Sequence, residues 1–187
     1  MEDEPEPCPV GAKVRQARGG PVPCEALLRR HIALCMQTHF QLLQLAADVA
    51  CADCYFSPCA PFFVALADKA KLQAGLMMDA VLKQGGSVEL PAILTPCPNL
   101  AHDAAEGEQT LAAALEACIQ LEGAKGYDSL CSDVLAANGN AAARQLVDAL
   151  SLESLHTRAE LTRLLASVRA SRDKLAALSF CLARTAS

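Results

Sequence analysis

The sequence of 187 residues has few aromatic side chains: it contains no tryptophan, and only 4% of its residues are aromatic. Alanine and leucine dominate the 52% of residues that are hydrophobic, and this composition favours helices over a β-sandwich or a β-barrel. A chain of this length can bury a core of its own without disulfides or a metal. The composition therefore predicts one all-α domain.

The sequence also lacks an excess of positive charge. Its 16 Lys and Arg face 21 Asp and Glu, which gives a formal net charge of -5 and argues against a nucleic-acid-binding surface. It has no uninterrupted apolar stretch of about 18 residues, and its acidic start lacks the order of a secretory signal. We therefore expect a cytoplasmic protein with neither nucleic acid nor membrane as a partner.

The ten cysteines do not form a recognisable metal-binding pattern. Cys51, Cys54 and Cys59 cluster, but without a second pair or a histidine at zinc-finger spacing. Cys35 and His39 are one helical turn apart and could hold a soft metal or simply pack in the core. In a reducing compartment we expect mainly free thiols, with a thiol- or zinc-binding helical bundle as an alternative.

Apolar residues recur at alternating steps of three and four along four long segments, as they do on the buried face of a helix. The leader, residues 1–22, is rich in proline and glycine and lacks this periodicity, so the domain is placed at 23–187. The four helices are predicted at about 23–52, 59–84, 106–137 and 140–170. A short fifth helix is predicted at about 172–183.

The connection between the second and third helices is too long for a turn. Residues 85–103 include prolines at 91, 96 and 98 and show no helical stripe. About 18 extended residues can span roughly 60 Å, whereas a helix of about 28 residues is roughly 42 Å long. This crossover would make the second and third helices parallel, which is the connection found in ferritin-like bundles.

Three short stretches resemble the ferritin family. Residues 81–93 resemble the family's second-helix exit, in which Gly85 and Gly86 precede a short extended run with proline and isoleucine. Residues 30–34 resemble its first helix, and Leu121-Glu122 with Ser129-Leu130 resembles its third. The likeness covers about residues 14–183 and implies a divergent heavy/light-type subunit: an all-α, ferritin-like four-helix bundle with one long crossover and a short fifth C-terminal helix.

The same resemblance implies where iron ligands would lie, and most of them have been replaced. Two first-helix positions and the second-helix Glu-Glu-x-x-His of the family correspond here to Cys35, Leu42, Lys69, Ala70 and Gln73. Glu122 is the ligand that remains and is our one candidate metal residue. Its alternative role is a glutamate that lines the bundle or forms an ion pair, for example with Lys125.

The fourth helix offers two further candidates. The resemblance aligns the family's glutamine with Leu155, and Glu153 and His156 have a Glu-x-x-His spacing in a register about two residues off. The acidic face on which light-type subunits nucleate mineral is reduced here to Asp68, and Asp148 is the expected remnant of the acidic pore lining.

The function implied by the resemblance is storage of iron by a shell subunit without its own ferroxidase activity. Iron would be its cargo, and its partners would be copies of itself or other ferritin subunits. One alternative is a ferritin-like scaffold that has lost iron handling, and the other is the thiol- or zinc-binding bundle.

Overall fold

A computed structural model of the chain describes residues 24–50, 59–89, 107–137 and 141–170, without the side chains of 107–110. These residues form five helices and no strand: α1 (Glu25–Ala50), α2 (Ala60–Lys83), α3 (Gly107–Ala124), α4 (Tyr127–Ala136) and α5 (Ala141–Ala170). The predicted leader, most of the crossover and the short fifth helix lie outside the described residues. No helix within the described ranges is long and apolar enough to cross a membrane.

Helices α1 and α2 form the closest pair. Proline at the start of α2 suits a position whose backbone N–H has no partner within the helix, and Gly85, at φ +78°, follows its end. The buried stripe of α1 runs through Leu28, Cys35 and Leu42, as its periodicity predicts. His39 also faces inward, where its Nδ1 lies 2.8 Å from the backbone oxygen of Ala67 on α2.

The prediction of one continuous third helix is wrong, because a break after Ala124 separates α3 from α4. Gly126 has φ +62°, a left-handed conformation that costs an L-residue with a side chain roughly 1–2 kcal/mol. This conformation lets the chain turn without strain between the two helices. The side chain of Lys125, immediately before it, points into the bundle and is fully buried.

Two apolar clusters fix the directions of the helices. One joins the end of α1 and the start of α2 to the start of α3 and the end of α5, around Phe63 and Leu115. The other joins the start of α1 and the end of α2 to α4 and the start of α5, around Met77 and Leu130. Helix α2 therefore runs parallel to α3, as the predicted crossover requires, and antiparallel to α1 and α5.

A layer of polar side chains lies between these two clusters, where the middle turns of α2 and α5 meet the junction of α3 and α4. Its buried members are Gln73, Glu122, Lys125, Ser154 and Thr157. Four-helix bundles place their ligand and metal sites among side chains that project inward from facing helices. This layer is therefore the candidate functional site.

Hydrogen bonds hold the residues that follow α2 against the start of α1. The Glu25 carboxylate accepts a hydrogen bond from the backbone N–H of Ser87 at 3.1 Å and forms an ion pair with Arg29. Arg29 also donates to the backbone oxygen of Ser87 at 2.7 Å. A Cβ on Gly86 would lie 2.8 Å from Val81 Cγ1 and 3.0 Å from Glu25 Cδ, so this close contact requires glycine.

We predict that Gly86→Ala lowers the free energy of unfolding by about 1–3 kcal/mol, because the added methyl group overpacks this junction. Gly75→Ala, in the middle of α2, would place its methyl group where no other atom lies within 4 Å, and it should instead raise the free energy of unfolding by up to about 1 kcal/mol through helix propensity. Guanidinium unfolding midpoints at constant slope measure both effects. Equal effects of the two substitutions would contradict the close contact at Gly86.

Candidate functional site

The centre of the polar layer is an ion pair between Lys125 and Glu122. The Lys125 Nζ lies 2.5 Å from Glu122 Oε1, and the two side chains are only 0% and 3% exposed. The other carboxylate oxygen of Glu122 accepts a hydrogen bond from Ser154 Oγ at 3.2 Å. Both oxygens of this carboxylate are therefore already bound by donors of the chain itself.

Gln73 connects the ion pair to its surroundings. Its Oε1 accepts hydrogen bonds from Lys125 Nζ at 2.9 Å and from the Tyr127 hydroxyl at 3.1 Å. Its Nε2 donates to Glu153 Oε2 at 3.1 Å. The Gln73 side chain is thus held by three neighbours: Tyr127 on α4, Glu153 on α5, and Lys125 between α3 and α4.

Two buried cysteines line the layer and remain neutral thiols. Cys35 Sγ lies 3.1 Å from the Tyr127 hydroxyl, and burial raises the pKa of both groups. Burial, and then the charge of Glu122, raise the pKa of Cys118, one turn earlier on α3. Since metals bind the thiolate, these thiols are poor ligands in their present surroundings.

A second, more exposed ion pair links α2 to α5. Lys69 Nζ lies 3.1 Å from Glu153 Oε1 and donates to Thr157 Oγ1 at 2.7 Å. Burial raises the pKa of Glu153. Hydrogen bonds from Gln73 and Lys69 and the charge of Lys69 together lower the pKa by more than burial raises it, so the pKa lies below its ordinary value. Each oxygen of the Glu153 carboxylate is therefore bound by a donor of the chain itself.

The structure brings together most of the positions that the sequence singled out. Cys35, Ala70, Gln73 and Glu122 are buried in or beside the layer, and Lys69 lies at its outer edge. Leu42 is also buried, but it belongs to the first apolar cluster rather than to the polar layer. Glu122, the predicted metal residue, is bound to Lys125 in the structure.

These residues do not fit an iron site. Iron of the ferritin type needs several carboxylates and an imidazole with open coordination positions, whereas this layer has two carboxylates, both bound by lysine ammonium groups. Among the described residues, no group of three or more His, Cys, Asp or Glu side chains is placed to hold a metal ion. The ammonium of Lys125 supplies the positive charge that faces Glu122.

The residues of the other candidate sites do not come together in the structure. Leu155, the predicted counterpart of a family ligand, is 48% exposed, whereas its neighbour Ser154 points inward and donates to Glu122. Glu153 pairs with Lys69 while His156 lies 3.8 Å from Glu160, so these two do not form a joint site. The Cys35 thiol is hydrogen-bonded to the Tyr127 hydroxyl on α4, whereas the His39 ring is hydrogen-bonded to the backbone oxygen of Ala67 on α2.

Of the cysteine cluster, Cys59 is buried at the start of α2, and Cys51 and Cys54 lie outside the described residues. The cysteines at 24, 35, 118 and 131 are free thiols.

Reasoning from the sequence missed three residues of the site, Tyr127, Ser154 and Thr157, and gave Lys125 only as an alternative partner of Glu122. Lys125 continues the inward stripe of Leu115, Cys118 and Glu122, so its steps of three and four were a usable signal. Tyr127 and Ser154 gave weaker signals, because one follows a helix break and the other depends on a one-residue shift in register.

Comparison with known proteins gives a structural match but no sequence match. No protein-family model and no curated protein matches the chain. Among solved structures, a variant of the ferritin PmFTN that was soaked in iron matches with a TM-score of 0.65 and 15% sequence identity. The match covers 76% of this chain and 86% of that one.

The fold class predicted from the sequence, an all-α ferritin-like helical bundle, is therefore confirmed. At this level of identity the match defines the fold alone. The function of the inner residues depends on their own chemistry.

We predict that Lys125→Met destabilises the protein by about 3–5 kcal/mol, because it leaves the buried Glu122 carboxylate without its cation. The double variant Lys125→Met/Glu122→Gln should recover much of this loss, since it removes both charges. Lys69→Met is the matched control: its pair with Glu153 is 30% and 44% exposed and should be worth about 1 kcal/mol or less.

Chemical denaturation at one protein concentration measures these differences. If Lys125→Met costs no more than Lys69→Met, the buried ion pair does not hold the layer together.

Proposed function

We propose that this chain is the shell subunit of an iron-storing, ferritin-like assembly in the cytoplasm and that it lacks ferroxidase activity of its own. The observation that carries the proposal is the ion pair of Lys125 and Glu122, inside a bundle whose fold matches a ferritin. The match supports the scaffold, and the ion pair supports the loss of iron oxidation.

Electrostatics support the second half of the proposal. A divalent iron ion placed about 4 Å from the Lys125 ammonium would be repelled by about 8 kcal/mol at an effective dielectric of 20. To bind there, iron would also have to displace the hydrogen bonds of Gln73 and Ser154 to this pair. One glutamate without an imidazole supplies too few ligands to compensate for this repulsion and for the lost hydrogen bonds.

The exposed face of α2 supports a dependence on partner subunits. Asp68 is exposed, and one turn later Leu72 is 65% exposed, so this face carries little of the carboxylate density that nucleates a ferric mineral. We infer that oxidation and nucleation are supplied by competent ferritin subunits in the same shell. This chain would contribute to the shell that encloses the stored iron.

We predict that the purified protein does not accelerate aerobic oxidation of Fe²⁺ above the buffer rate at matched pH. The physical reason is that two adjacent open sites for iron need more ligands than Glu122 provides. Glu122→Ala is the control and should give the same rate as the unchanged protein. A saturable acceleration that Glu122→Ala abolishes would contradict the proposal.

We further predict that the protein sediments as a closed particle of about two dozen subunits, alone or after mixing with a competent ferritin subunit. Iron retained per particle should fall as the fraction of this chain rises. Assembly into particles that retain no iron at any ratio would favour the alternative, a scaffold that has lost iron handling. A monomer that retains zinc would favour the thiol- or zinc-binding bundle.

A further inference from the structure

The buried polar layer places an amine next to an amide carbonyl. Lys125 Nζ lies 2.9 Å from Gln73 Oε1, and the two residues are 52 positions apart in the chain. Since a C=O bond is about 1.23 Å long, the Cδ carbon of Gln73 is at most about 4.1 Å from this nitrogen. An approach of less than about 1 Å would bring the two atoms to the roughly 3.5 Å from which a nucleophile reacts.

The carboxylate of Glu122 is positioned to activate this amine. It lies 2.5 Å from Lys125 Nζ, and the two side chains are 3% and 0% exposed. Transfer of one proton from the ammonium to the carboxylate replaces two buried charges by two neutral groups, which burial favours. A neutral lysine amine in a desolvated site is a nucleophile. Glu122 is therefore placed to act as its general base.

Two further contacts match the needs of the carbonyl group and of its leaving group. The hydroxyl of Tyr127 donates to Gln73 Oε1 at 3.1 Å, where it can stabilise negative charge on this oxygen. Burial raises the pKa of Tyr127, so its hydroxyl stays protonated. Gln73 Nε2 donates to Glu153 Oε2 at 3.1 Å. The side chain of Glu153 is 44% exposed, so an ammonia molecule released from Nε2 would leave next to solvent.

We propose that Lys125 and Gln73 form an isopeptide bond, a covalent crosslink between α2 and the junction of α3 and α4. The Lys125 amine attacks Cδ of Gln73, and the oxygen of the tetrahedral intermediate accepts from Tyr127. The bond from Cδ to Nε2 then breaks, and ammonia leaves. Of the three protons on the Lys125 ammonium, Glu122 takes one, the departing nitrogen takes one, and the new amide keeps one. The reaction consumes no oxidant and no other reactant.

The product is compatible with the surroundings of the layer. The new bond replaces the hydrogen bond between Lys125 and Gln73, and the amide N–H that remains still faces Glu122. Because Glu122 keeps the proton that it received, no unpaired charge stays buried. Metal ligands must be deprotonated, so the layer does not fit an iron site before or after the reaction. The crosslink closes a loop that contains the connection between α2 and α3, and a closed loop restricts the unfolded chain.

The mass of the full chain tests this proposal. Protein kept folded at neutral pH for several days and then denatured should be lighter than its sequence by one ammonia molecule. Trypsin should release residues 72–83 joined to residues 84–144, because an acylated Lys125 is not cleaved. The joined peptides distinguish the crosslink from cyclisation of Asn138 beside Gly139, which also releases ammonia.

Three variants and a control assign the roles. Tyr127→Phe removes one hydroxyl and should slow formation of the joined peptides at least about tenfold. Glu122→Gln removes the base and should slow it at least about 100-fold. Gln73→Glu has nearly the same shape but no ammonia to release, and it should give no joined peptides. Lys71→Met removes an exposed lysine on the same helix as Gln73 and should leave the rate unchanged.

A folded chain that keeps the mass of its sequence and gives no joined peptides would overturn the proposal. Loss of water instead of ammonia would also overturn it, because the bond would then join Lys125 to Glu122, and so would joined peptides that form equally fast in Glu122→Gln. If a variant that changes a charge does not fold, the unchanged chain and Tyr127→Phe decide the question. None of these measurements involves iron or assembly, so a negative result leaves the proposed storage function untouched.

Discussion

The buried contact between Lys125 and Glu122 is the constraint on which the middle of this bundle depends. Taking two charges out of water costs several kcal/mol each, and only close pairing with further hydrogen bonds repays that cost. Gln73 and Ser154 supply those bonds from α2 and α5. The pair therefore ties α3 to two other helices, and its geometry sets where those helices can lie along one another.

The position of the polar layer between two apolar clusters gives it this influence. Leucine contacts alone tolerate sliding, since one apolar side chain replaces another at similar cost. A shift of α5 by one residue would place Leu155 where Ser154 now meets Glu122 and would leave a carboxylate oxygen buried without a donor. The apolar clusters supply most of the free energy, and the polar layer selects one register.

Much of the fold followed from the sequence, because long amphipathic helices give a strong periodic signal. The inward stripes of α1 and α2 correctly placed Cys35, Leu42 and Ala70 inside the bundle. The prediction of the third helix failed because a single residue changes the backbone conformation there. Gly126 broke the third helix through its left-handed conformation, and periodicity alone does not distinguish such a glycine from Gly75, which α2 tolerates.

The candidate site was harder to predict, because it depends on which side chains pair rather than on which positions are buried. A lysine is almost never fully buried unless it is paired, so the sequence alone does not decide between Lys125 and a metal ion as the partner of Glu122. Once Lys125 is placed inside, the other differences from an iron site become consistent with one another. The amide oxygen of Gln73 accepts a hydrogen bond from the Lys125 ammonium. Cys35 lies 3.1 Å from the Tyr127 hydroxyl and, as a neutral thiol, adds no second charge to the layer. A single substitution that introduces an iron ligand would therefore leave the internal cation in place, so a metal site built in this layer would also require the removal of Lys125.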